Sequence, residues 1–233
     1  MWLAAGTIDV WFVGAGAPSA VVDRLACVLT SSEQARAARF HFEADHRRFT
    51  VARASLRLLL GRSSGADPAS IEIASPDGAK PEAPALGVHF NVSHAGEMVA
   101  LAFASDVPVG VDVERLRPMR DAAGIARRWF SPDERRAVED TGDLADTFFR
   151  IWTAKEAVVK GTGGGLSSGL ASFTVPFRSP VLAPVQAASG AAFDGWQVAS
   201  LEEAGDGYRA AVAARTARAI IRVTTTTADQ LLG

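Results

Sequence analysis

Gly110-Val111-Asp112-Val113-Glu114 alternates apolar and acidic residues with a period of two, the pattern of a strand with one buried face. Val111 and Val113 then face a core, and Asp112 and Glu114 project together from the other side. Two neighbouring carboxylates repel each other unless a cation or base lies between them. Oxygen ligands so arranged suit Mg²⁺, which takes one or two carboxylates together with phosphate oxygens of a substrate. Read alone, the stretch fits equally well a strand whose acidic face is solvated.

Working outward, two further strand-like runs lie just upstream, Val88 to Ser93 and Met98 to Ala104. His94-Ala95-Gly96-Glu97 and Asp106-Val107-Pro108 read as the turns between the three runs. Further back come a first strand at Ile8–Val13, then helix from about Glu33 to Leu60, broken near Phe42. Ser31 and Gln34 have capping-box spacing to open it, and Gly61 to stop it. Ile71–Ala74 reads as a short strand and Pro76-Asp77-Gly78 as a turn. Downstream, a helix starts near Asp121 and stops at Phe130. A second restarts at Ser131-Pro132-Asp133-Glu134, and a third runs from about Leu144 to Lys160, ended by the run Gly161-Thr162-Gly163-Gly164-Gly165. Strands follow at Phe173–Phe177, Trp196–Leu201, Tyr208–Ala214 and Ala219–Thr225, with a Pro/Ala/Ser loop from Ser179 to Ala192. Strand, helices, strands is thus read twice. The expectation is an α+β protein of two similar halves, residues 1–107 and 108–233, with one continuous domain as the alternative.

The 233 residues suffice for a buried core, and the formal net charge of −2 gives no basic excess for a nucleic-acid partner. The one cysteine, Cys27, excludes an internal disulfide framework and fits a cytoplasmic setting, where it reads as a small core residue. No stretch has the length of a membrane span, and Asp9 interrupts the apolar N-terminus.

Three more stretches carry chemistry. In Trp152-Thr153-Ala154-Lys155-Glu156-Ala157-Val158-Val159-Lys160, Glu156 and Lys160 are four apart, which suits a surface ion pair. Alternatively Glu156 is a third oxygen ligand flanked by Lys155 and Lys160 as anion contacts. Phe90-Asn91-Val92-Ser93-His94-Ala95-Gly96 places a hydroxyl and an imidazole at a strand end. Neighbouring strand residues face opposite ways, so His94 is badly placed to activate Ser93, and an anion-holding turn or a plain polar turn fits better. Arg36, Arg39, His41, His46, Arg47, Arg48 and Arg53 form either a solvated helix face or a cluster facing a multiply charged ligand. Ser131, Pro132 and Glu134 make a capping box, which competes with a catalytic reading of Glu134.

In order and separation, Asn91-Val92-Ser93-His94, Gly110-Val111-Asp112-Val113-Glu114, Phe130-Ser131-Pro132-Asp133-Glu134 and Trp152 to Lys160 resemble the signature series of the surfactin-type 4'-phosphopantetheinyl transferases. The resemblance runs from about Arg39 to Leu166. It implies a pseudo-dimer of two α+β halves with coenzyme A in the cleft between them. It also implies transfer of phosphopantetheine to a serine of an acyl or peptidyl carrier protein, with release of 3',5'-ADP. Asp112, Glu114 and Glu156 match the Mg²⁺-binding acids. Lys155 and Lys160 match basic residues near the pyrophosphate, and Ser93 and His94 the turn that receives the 3'-phosphate. Arg47 and Lys80 match contacts of the adenosine diphosphate part. Lys155 then stabilises charge on the transferred phosphate, and Glu156 or Glu134 is the base for the serine. A cytoplasmic monomer acting in secondary metabolism is the further expectation. Gly163-Gly164-Gly165-Leu166 departs from relatives that carry a lysine at its middle position, and Arg36 and Arg39 do not align with the relatives' basic residues, so neither is given a ligand role. The rival readings are another Mg²⁺-dependent phosphoryl-transfer enzyme, for which no P-loop is present, and a non-catalytic module binding coenzyme A or a carrier protein.

Overall fold

The computed structural model describes residues 3–74, 80–164, 169–187, 191–216 and 218–232. The expected turn at Pro76-Asp77-Gly78 and the Gly165-Leu166 part of the glycine run lie outside them. In chain order the elements are β1 (Thr7–Gly14), α1 (Ser19–Ala26), α2 (Ser31–Ala37), α3 (Glu43–Ser64), β2 (His89–Ala95), β3 (Met98–Ala104), β4 (Val109–Arg115), α4 (Ala122–Trp129), α5 (Pro132–Glu139) and α6 (Leu144–Thr162). They continue with β5 (Phe173–Thr174), β6 (Ala183–Pro184), β7 (Gln186–Ala187), β8 (Trp196–Leu201), β9 (Tyr208–Arg215) and β10 (Ile220–Thr227). This is a mixed α+β fold. Among the described residues, no helix is long and apolar enough to cross a membrane.

Two four-stranded sheets carry it, in the orders β10-β1-β3-β2 and β4-β9-β8-β6. Each contains the same antiparallel arrangement, β1-β3-β2 in one and β4-β9-β8 in the other. The long helix, α3 or α6, comes between the first and second strand of each set. Alternation along β3 shows how the layers form. Val99, Leu101 and Phe103 pack toward α3, whereas Ala100, Ala102 and Ala104 pack against β4 and β9 of the other sheet. Small residues on that face let the two sheets approach closely. Val109, Val111 and Val113 of β4 enter the inter-sheet core, as the alternation of the Gly110–Glu114 stretch requires. A third core lies between α4 to α6 and the outer face of β8 and β9.

Several elements depart from expectation. The break at Phe42 is present, as the extended N-cap of α3. The capping box of α2 uses Thr30 and Glu33, one residue before the expected pair. Helix α3 runs past Gly61 and ends at Gly65, whose φ of 76° is the left-handed conformation glycine tolerates. Among the described residues Ile71–Ala74 forms one isolated bridge, between Ala74 and Glu82, and strand at Phe173–Phe177 is confined to β5. The turn expected over His94–Glu97 shortens to Gly96-Glu97, because β2 continues through Ala95. Cys27 is exposed rather than in the core, its Sγ donating to the Asp23 carbonyl at 3.4 Å. The division at 107/108 separates the two sets of elements but not the two sheets, since β10 pairs in parallel with β1, Thr7 opposite Ile220.

Candidate active site

Two glycines bring α6 onto β4. A Cβ on Gly110 would lie 2.0 Å from the Ala157 carbonyl oxygen and 2.4 Å from the Gly161 nitrogen, and a Cβ on Gly161 would lie 2.3 Å from Trp196. Helix and strand therefore touch backbone to backbone, which only residues without side chains permit. On the same strand face as Gly110 stand Asp112 and Glu114. Glu156 and Lys160, one turn apart on α6, share a helix face. Gly110→Ala is expected to force α6 off β4 and lower the melting temperature by roughly 2–12 °C; thermal denaturation checks this.

Asp112 is 3% exposed. Its Oδ1 accepts from Ser93 Oγ at 2.7 Å and from Lys160 Nζ at 2.6 Å. Its Oδ2, and Oε1 of Glu156, are buried with no hydrogen-bond partner among the described residues. Burial, then the Asp112 carboxylate, push the Glu156 carboxyl up to about 7, with Glu114 adding to the rise and Lys160 opposing it. Glu114 is half-buried and its Oε2 accepts from Arg117 at 3.0 Å. These are hard oxygen donors with unmet demand for positive charge, which is the chemistry a divalent cation satisfies. Among the described residues no group of three acids, imidazoles or thiols is gathered as a finished metal cage.

The acids lie at a seam between the sheets. β2 runs beside β4, and side chains supply hydrogen bonds across the gap: Val111 N–H donates to Asn91 Oδ1 at 2.9 Å, and Val113 N–H to Ser93 Oγ at 3.4 Å. Lys160 Nζ also donates to Ser93 Oγ, at 3.0 Å. Ser93, expected as a phosphate contact, is thus spent inside the seam, where it orients Asp112. Asn91 was not singled out, although it lies two residues before Ser93 and so on the same strand face.

His94 points the other way. It retains an exposed edge, and desolvation, then Arg48, hold its imidazole below the usual histidine value, with Lys160 adding to the effect. It lines a cavity of about 400 Å³ together with Arg36, Arg39, Phe49, Arg53 and Val92. Arg36 and Arg39, given no ligand role from sequence, therefore share one cavity with His94. Glu33 also reaches this wall. Burial favours its neutral form, but hydrogen bonds from Arg57, the Thr30 N–H and Arg53 outweigh that and hold it at about 2. Arg47 faces elsewhere, onto a separate cavity with Asp23, Glu43 and His46. It also reaches the hairpin, its guanidinium 3.7 Å from Glu97 Oε1, as does its neighbour Arg48, whose Nε donates to the Gly96 carbonyl at 3.0 Å. Lys80 donates to the Val109 carbonyl at 2.7 Å beside the end of α6; burial pushes its ammonium down to about 8, against the pull of Glu82.

Lys155 and Glu134 form a different centre. Lys155 is fully buried, and its ammonium donates to the carbonyls of Leu170 at 2.8 Å and Phe173 at 2.6 Å and pairs with Glu134 Oε2 at 2.8 Å. Burial lowers its pKa, with Glu134 opposing. Its ammonium is thus engaged by Glu134 and two carbonyls in the core, where it was expected as a contact near the pyrophosphate. Glu134 completes the capping box with Ser131 and also accepts the Val175 N–H at 2.9 Å. At 1% exposed it ties α5 to the chain after α6.

Residues 108–213 match the 4'-phosphopantetheinyl transferase superfamily, and residues 18–106 match the 4'-phosphopantetheinyl transferase N-terminal family. The chain is similar to the 4'-phosphopantetheinyl transferase HetI of Nostoc, 34% identical over 171 residues, spanning 71% of this chain and 72% of the relative. It is also similar to the 4'-phosphopantetheinyl transferase Sfp of Bacillus subtilis, 31% identical over 148 residues, spanning 62% of this chain and 65% of that relative. These matches define a transferase. The chain belongs to the 4'-phosphopantetheinyl transferase family.

Proposed function

We propose that this transferase moves 4'-phosphopantetheine from coenzyme A to a serine of an acyl or peptidyl carrier protein, releasing 3',5'-ADP. Coenzyme A lies along the seam between two halves of a pseudo-dimer, a reading supported by the shared β1-β3-β2 and β4-β9-β8 arrangements. The observation that carries the proposal is the pair of buried carboxylate oxygens of Asp112 and Glu156 without a partner among the described residues, accompanied by a cavity walled by Arg36, Arg39 and His94. Asp112, Glu114 and Glu156 would hold Mg²⁺, which when bound neutralises pyrophosphate charge and acts as a Lewis acid. Phosphoryl transfer needs alignment and charge neutralisation more than covalent help. Lys160, which reaches Asp112 of this cluster, supports a role against the pyrophosphate. His94, with Arg36 and Arg39, takes the 3'-phosphate. Glu156, beside the reacting phosphate, takes up the serine proton. A cytoplasmic monomer serving secondary metabolism completes the reading, the compartment supported by the single cysteine.

The test is mass spectrometry of a panel of carrier proteins incubated with the protein, coenzyme A and Mg²⁺. A gain of the phosphopantetheine mass is expected, and no gain on any of them overturns the proposal. His94→Ala is expected to weaken coenzyme A by roughly 10–150-fold, from about 1.5–3 kcal/mol for one charge-assisted hydrogen bond. Dephospho-coenzyme A should be hardly affected, and equal weakening of both counts against the phosphate assignment.

The raised Glu156 also sets a pH dependence. Its folded value of about 7 lies above the ordinary 4.5, so the fold binds the proton more tightly than the unfolded chain does. Its contribution to stability is therefore full below about 4.5, falls as pH rises toward 7 and is lost above. Without Mg²⁺, the melting temperature of the wild type relative to Glu156→Gln is expected to fall between pH 5 and 8; parallel curves would remove Glu156 as the titrating group.

A further inference from the structure

The geometry points to Lys160 as a resident cation that neutralises Asp112 in the metal-free site and competes with a divalent ion for that carboxylate. The inference rests on the metal reading above. Asp112 uses its two oxygens unequally: Oδ1 accepts both Ser93 Oγ and Lys160 Nζ, whereas Oδ2 accepts nothing among the described residues. Lys160 therefore stands where positive charge is needed most, one helical turn beyond Glu156. Arg117 does the same for Glu114 from a more exposed position, at 3.0 Å.

A lysine suits a temporary occupant. Its ammonium is a compact charge on a flexible stem, and Lys160 is 31% exposed at the side chain, so it can swing away without moving α6. Lys155, held by three acceptors in the core, cannot. The charge of Lys160 works against a divalent ion at Asp112 and Glu156. That opposition turns to support once a diphosphate offers the ammonium a new partner. Metal and diphosphate should then bind cooperatively, with Lys160 carrying the coupling between them.

The experiment titrates Mn²⁺, followed by electron paramagnetic resonance, into wild type, Lys160→Met and Lys160→Arg, alone and with adenosine 5'-diphosphate as the diphosphate probe. Without the probe, Lys160→Met is expected to bind Mn²⁺ at least about tenfold more tightly than wild type, and Lys160→Arg to resemble wild type. The probe should tighten Mn²⁺ in wild type and do so much less in Lys160→Met. If Lys160→Met melts below the assay temperature, Lys160→Gln, which keeps a donor for Ser93, replaces it. Equal Mn²⁺ affinity in wild type and the uncharged variant overturns the inference and leaves the metal reading standing. Saturable binding in none of them, or binding unchanged by Asp112→Asn, overturns the metal reading itself.

Discussion

Asp112→Asn is expected to reduce phosphopantetheine transfer by roughly 10²–10³-fold, the usual consequence of losing one preorganised charge-stabilising group. The sequence alone presents Asp112 as a residue on a polar strand face, whose loss leaves the fold untouched. At 3% exposed, with Ser93 and Lys160 both held to its Oδ1, it is also part of the seam between the sheets. Stability should therefore fall too, though modestly, by about 1–2 kcal/mol, since Lys160 can turn toward water. Transfer rates at saturating Mg²⁺ and coenzyme A, read beside the melting temperature, test this. Activity within a few-fold of wild type would take Asp112 out of the reaction.

The second large effect is on stability. Glu134→Gln still offers a capping-box residue, and on sequence grounds a small loss is expected. The structure changes that expectation, because the substitution leaves the Lys155 ammonium in the core without a counter-charge. Breaking a buried pair from one side costs about 3–5 kcal/mol, which lowers the melting temperature by roughly 6–20 °C for a chain of this size. Replacing both partners, Glu134→Gln with Lys155→Met, should recover part of the loss, since the uncompensated charge is gone. An unchanged melting temperature with a rate lower by about 10²–10⁴-fold would instead mark Glu134 as a proton acceptor.

These two residues show what a sequence can and cannot convey about such a site. Alternation placed Val111 and Val113 inward and Asp112 outward, and helical spacing put Glu156 and Lys160 on one face. Both relations are local, so both were legible. The partnership of Lys155 with Glu134 spans two helices and the chain beyond them, and no period records it. Lys155 and Glu156 are neighbours in the chain, yet a helix sends them about 100° apart, one to the core and the other to the seam. Arg47 and Arg48 are neighbours too, and only the docking of α3 decides that one meets Glu97 and the other the Gly96 carbonyl of the His94 hairpin. Gly110 did carry a signal, since a glycine inside a strand marks a close backbone approach, but its partner Gly161 was read as the end of a helix that in fact continues to Thr162.

The parallel pairing of β10 with β1 has a consequence for how the molecule is made. β1 leaves the ribosome long before its neighbour on that side, which starts at Ile220. Until then an almost wholly buried strand has an open edge, the kind of surface that recruits strands from other chains. β10 itself, with Arg222 and the threonines from Thr224 to Thr227, is largely exposed, and so works as a polar selvedge sewn on after the rest of its sheet. Contacts of such sequence separation form slowly. The first sheet therefore stays incomplete until β10 is made, although its other three strands lie far upstream of it.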